Sequence, residues 1–82
     1  MPYNRTHIRI NTTAEATSFV SQLNADGTAD KYIIEDFSGV QRANARSLLG
    51  VIYAMSDFND EMYLVNVTNN GVYPSFIDTL RV

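Results

Sequence analysis

The spacing of apolar residues along this chain switches between two periods, two and about 3.6, and each switch marks a new element. Across Arg5 to Ile10, Ile8 and Ile10 alternate with His7 and Arg9, so one face of an extended segment is apolar and a first strand is expected. Asn11, Thr12 and Thr13 can each cap a helix, and Ala16, Phe19, Val20 and Leu23 then recur at i, i+3, i+4 and i+7, the stripe of a helix with one buried face. Asn24-Ala25-Asp26-Gly27 ends it. Lys31 to Phe37 carries the strand formers Tyr32, Ile33, Ile34 and Phe37, and Ser38-Gly39 turns the chain back into a short antiparallel third strand over Val40 to Ala43.

Between Arg46 and Met55 the pattern changes character. Leu48, Leu49, Val51, Ile52 and Met55 cover too wide an arc for one buried stripe on a short helix, so some of them must face outward or meet a partner. Ser56 to Asp60 reads as a loop, Glu61 to Val67 alternates as a fourth strand, and Thr68-Asn69-Asn70-Gly71 closes it. Tyr73, Phe76, Ile77 and Leu80 return to helical spacing behind Pro74, which a first helical turn tolerates. The order is β-α-β-β-α-β-α, an α+β class in which amphipathic helices need one face of a sheet to bury their stripes. An open-faced two-layer sandwich over residues 1–82, as a single domain, satisfies this.

Composition narrows the function classes. A net charge of −3 opposes generic attraction to nucleic-acid phosphates or anionic membrane surfaces, so neither is expected as a partner. Without cysteine there are no disulfides, no thiol chemistry and none of the common structural zinc sites. No stretch approaches the roughly 20 apolar residues of a membrane span and the first residues have no apolar run of signal type, so a cytoplasmic location is expected. The single histidine, His7, has no cysteine companion, and Gly27, Gly39, Gly50 and Gly71 are too scattered for a phosphate loop. Neither metal, cofactor nor enzymatic activity is expected.

Ala45-Arg46-Ser47-Leu48-Leu49-Gly50-Val51 resembles the small-basic-Ser-apolar-apolar-Gly-apolar segment at the second helix of the HPr family, the histidine-containing phosphocarriers of the bacterial sugar phosphotransferase system. Asp60-Glu61-Met62-Tyr63-Leu64 is similar to the family's following segment, and the element order is the family's own. The resemblance implies a four-stranded antiparallel sheet covered on one face by three helices. It also implies a phosphoacceptor region that has decayed. Where the family carries His-x-Arg-Pro, the matched positions here are Thr12 for the histidine, Ala14 for the arginine and Glu15 for the proline. Neutral threonine is a poor nucleophile, and Glu15 brings negative charge to the place where a dianionic phosphoryl group would sit. The simpler reading of Glu15 is a helix cap.

The same resemblance makes Ser47 a candidate for regulatory phosphorylation, with Arg46 and Arg42 near enough in sequence to screen a phosphate; the competing reading is that Ser47 caps the second helix. Leu48, Leu49 and Ile52, with Arg46 beside them, match a surface that the family uses to dock proteins, while Val51 and Met55 turn toward the core. The implied partners are phosphotransferase components or transcriptional regulators, and a homodimer is the other occupant such a patch would suit. The preferred expectation is thus an HPr-like regulatory or binding module without phosphocarrier activity. Two alternatives stand beside it: phosphoryl transfer through a non-standard acceptor, such as His7, which alternation puts on the strand face away from Ile8, or an unexpected hydroxyl; or a retained fold with unrelated partners.

Overall fold

A computed structural model describes residues 4–59 and 61–82. It contains β1 (Thr6–Ile8), α1 (Thr13–Ala25), β2 (Tyr32–Glu35), β3 (Arg42–Asn44), α2 (Leu48–Asp57) and β4 (Met62–Asn66), followed by a 3₁₀ segment at Ser75–Thr79. The strands form one antiparallel sheet in the order β1-β4-β2-β3. This is a small α+β fold with an open four-stranded sheet and two α-helices.

Register explains which residues make the core. Leu64 lies opposite Thr6 on one side and Ile34 on the other, and Ala43 extends that row across β3. Period two therefore sends Ile8, Ile34, Met62 and Leu64 to one face, where α1 adds Ala16, Phe19 and Leu23, and α2 adds Val51 and Ala54, to a single buried cluster. Each fully buried large apolar side chain contributes roughly 1.5–3 kcal/mol. Phe19 and Leu23, the heart of the first helical stripe, are 1% and 0% exposed.

The opposite face carries a row that the sequence pattern did not announce: His7, Tyr63, Glu35 and Arg42 are successive cross-strand neighbours. Glu35 is only 1% exposed, an expensive place for a carboxylate unless it is paired. Arg5 Nη1 at 3.2 Å and Arg42 Nε at 3.7 Å supply the pairing. Arg5 also lies 4.1 Å over the Tyr63 ring and donates to the carbonyls of Asp36 and Phe37, so it fastens the β2–β3 turn onto the sheet.

Several expectations need correction. The closing segment is not a third α-helix covering the sheet but the short 3₁₀ segment. Its chain must be extended again at Arg81, which bridges Ile8, while Leu80 O accepts from Arg9 N, and this leaves no room for i→i+4 bonding. Tyr73, Phe76 and Leu80 still pack against the core and Ile77 is fully buried. At the end of β2, Phe37 falls in the turn and is 66% exposed. Val40 and Gln41 likewise belong to that turn, so β3 starts two residues later than expected. The second helix takes in Ser56 and Asp57 from the expected loop, and Phe58 N closes it on Ala54 O. Asp60, part of the expected loop and of the family-like segment, lies outside the described residues.

Candidate functional site

The surface of interest begins at the corner Ala45–Ser47, where the chain leaves the edge strand β3 and enters α2. Ser47 is the N-cap: its backbone is extended, and its Oγ accepts from Gly50 N at 3.3 Å. Ser47 N donates to Asn44 O, and the helix crosses this strand so closely that a Cβ on Gly50 would stand 2.5 Å from the same carbonyl oxygen. Only glycine admits this approach.

Arg46, grouped with the partner surface on sequence grounds, is engaged elsewhere. Its guanidinium donates to Leu23 O at 2.8 Å, Asp30 O at 3.0 Å and Thr28 O at 3.2 Å, and it lies 5.2 Å over the Tyr32 ring. The last turn of α1 contains no basic residue of its own. Arg46 therefore supplies, from a distant part of the chain, the cation that the negative end of that helix favours, and Asn24 Nδ2 returns a bond to Arg46 O. Arg42 is drawn to Glu35 and to Gly39 O. Both arginines that would screen a phosphate on Ser47 thus already have partners.

Along α2 the wide apolar arc divides. Val51 and Ala54 are buried and Met55 packs against the core. Leu48 is 36%, Ile52 37% and Leu49 81% exposed. Tyr53, which sequence reasoning missed, extends this surface at 44% exposed: its ring is edge-on to Phe58 at 5.7 Å and its hydroxyl reaches Gln41 Oε1 at 3.3 Å. The i, i+4 relation of Leu49 and Tyr53 was the available signal. The result is an uncharged strip running from the N-cap to the middle of the helix.

Thr12, Ala14 and Glu15 sit at the N-terminus of α1. Thr12 Oγ1 accepts from Glu15 N at 3.1 Å and Glu15 Oε2 accepts from Asn11 N at 2.7 Å, a variant of the capping box in which the carboxylate reaches one residue beyond the cap. Ala14 is exposed and offers no polar group. The Ser47 corner touches the other end of α1, through Leu23 and Asn24. At 1.5 Å per residue, that is about 16 Å along the axis from Thr12. His7 stacks on Tyr63 at 4.6 Å, on the sheet face away from Ile8, with Nε2 3.9 Å from Glu61 Oε2. The Tyr63 hydroxyl donates to the same carboxylate at 2.9 Å, and this hydrogen bond raises the phenol pKa above its ordinary value.

Among the described residues no helix is long and apolar enough to cross a membrane, and no three His, Asp or Glu side chains gather as a metal site. Comparison of the chain with protein-family models, with curated proteins and with solved structures finds no match.

Proposed function

We propose that this protein is a binding module whose working surface is the exposed apolar strip of α2, and that it belongs among HPr-like domains that have given up phosphoryl transfer. The observation that carries the reading is the strip itself. Leu48, Leu49, Ile52 and Tyr53 stand on one short helix in a domain that buries or partly buries its other large apolar helix residues, and the 81% exposure of Leu49 has no packing role to explain it. The strip starts at a helix N-terminus whose Ser47 cap and Gly50 crossing hold it rigidly against β3, and a preformed surface loses little entropy on docking.

Support for the loss of phosphoryl transfer comes from the α1 N-terminus. The first-turn N–H of Glu15 is taken by Thr12, and the chain's own carboxylate occupies the position where an incoming anion would gain from the helix dipole. On this reading Ser47 serves as cap, and the partner is a cytoplasmic protein of the phosphotransferase system with an apolar docking groove.

The experiment is a calorimetric titration of the full chain against the enzyme I of the source organism, beside a labelling assay with phosphoenolpyruvate. Binding that disappears in Leu49→Asp and Ile52→Asp, with an unchanged circular dichroism spectrum and no transferred label, is the expected result. Label on His7, or binding indifferent to both substitutions, overturns it. Concentration-dependent sedimentation abolished by Leu49→Asp would instead identify a second copy as the occupant.

A further inference from the structure

The turn after β4 holds a second chemical feature, independent of the α2 strip. Asn70 is the one asparagine in the chain followed by glycine, the pairing least hindered for attack of a backbone nitrogen on a side-chain amide. Its amide is not idle. Asn70 Oδ1 accepts from Asn4 N at 3.0 Å while Asn70 Nδ2 donates to Asn4 O at 3.0 Å, a two-point clasp across 66 residues of chain. The Tyr73 hydroxyl lies 3.3 Å from the same Asn4 oxygen and 3.0 Å from Leu64 O, joining the clasp to β4. Asn4 stands two residues ahead of β1. Gly71 has φ +90°, and a Cβ there would come within 3.3 Å of Asn4 Nδ2. Among the described residues, no acceptor is bonded to Gly71 N.

We propose that Asn70 is a site of succinimide-forming deamidation, gated by this clasp, whose product unfastens the segment leading into β1. Gly71 N attacks Asn70 Cγ; the N–Cγ bond forms, the Cγ–Nδ2 bond breaks, and the amino group takes up, by way of solvent, the proton that Gly71 N gives up and leaves as ammonia. Water then opens the imide at either carbonyl, giving an aspartyl or an isoaspartyl linkage at position 70. Nothing is oxidised or reduced. The ring cannot close while both atoms of the amide are held by Asn4, so the clasp must open first. After reaction it cannot re-form, because a carboxylate has no proton to donate to Asn4 O and would face that carbonyl with like charge. The isoaspartyl form also lengthens the backbone in a turn that Asn66 Oδ1 fixes through Asn69 N.

The test is ageing of the full chain in mildly alkaline buffer, folded and in urea, with peptide mapping by tandem mass spectrometry. Asn70 is expected to gain the mass of hydroxyl over amino well ahead of Asn24 and Asn69, and severalfold faster in urea than when folded. Hydrogen exchange on the isolated product should show lost protection at Asn4 and Thr6 with α2 unchanged. An Asn70 rate no higher than that of Asn24 or Asn69 refutes the site. A folded rate equal to the unfolded one refutes the gate, and unaltered exchange in the product refutes the consequence. Asp26-Gly27 can also isomerise, but without a mass change, so the two signals remain separate.

Discussion

Replacing Arg46 with methionine keeps the aliphatic stem and removes the guanidinium, isolating the tie between the α2 corner and the end of α1. Two of its carbonyl bonds, to Leu23 and Asp30, are partly buried, and the one to Thr28 is exposed. Hydrogen bonds to charged groups contribute about 1.5–3 kcal/mol each when shielded. Solvent reduces the first two to about 1 kcal/mol apiece and the third to little. The helix-terminus interaction and the Tyr32 ring add about 0.5 kcal/mol each. The expected loss is about 2–3 kcal/mol, a large share of the roughly 4–12 kcal/mol available to a domain of 82 residues. It corresponds to a fall in Tm of about 10–20 °C. Urea unfolding followed by circular dichroism should show a lower midpoint at unchanged slope. Arg46→Lys should recover less than half, since one ammonium cannot satisfy three carbonyls spread around a planar fork. A loss below about 0.5 kcal/mol, or full rescue by lysine, would refute this account of the corner.

Further outcomes follow from other contacts. Gly50→Ala should destabilise by about 1–3 kcal/mol in the same urea assay, because the close approach to Asn44 O outweighs the ordinary helix preference for alanine. Thr12→Ala removes the acceptor for Glu15 N and should cost about 0.5–2 kcal/mol, read as a lower thermal midpoint. The Ser38 hydroxyl, followed by backbone N–H groups of the β2–β3 turn, holds the Asp36 carboxyl below the usual carboxylate range. A depressed folded pKa gives stability that is present above the ordinary aspartate value and lost as the pH falls through the folded one. Ser38→Ala should therefore shift the Asp36 titration upward in a carbon-detected NMR experiment and shrink that acid dependence.

Periodicity revealed the elements that bury a stripe or a face. Ile8 and Ile10, Ala16, Phe19 and Leu23, and Val51 are buried where the pattern put them, because the hydrophobic requirement repeats along the chain and is local. That some apolar residues of α2 stay exposed was also legible in the spacing, since their arc was too wide to hide; which ones do so was not. What escaped depended on contacts far apart in sequence. The final segment had helical spacing, yet the pairing of Arg81 with Ile8 decided its form. Arg46 looked like a surface cation, and nothing in Ala45-Arg46-Ser47 shows that the end of α1 lacks one. Glu35 ends a strand that is buried at every position, and its pairing with Arg5, thirty residues upstream, is invisible in the local pattern. Thr12 was legible as one of three candidate caps and Glu15 as a capping carboxylate, because both signals are local.

The return of Leu80 to Val82 along β1 has a consequence for assembly. Arg9 N and Val82 N bond across that border, so the outer rim of β1 is already occupied. At the opposite rim, β3 is three residues long and surrenders Asn44 O to Ser47 N. Among the described residues, neither rim offers an incoming chain a run of free amides, which is how a sheet open on one face can stay out of strand-by-strand aggregation. Anything that peels the last three residues away would expose a fresh templating border directly beside His7 and Ile8.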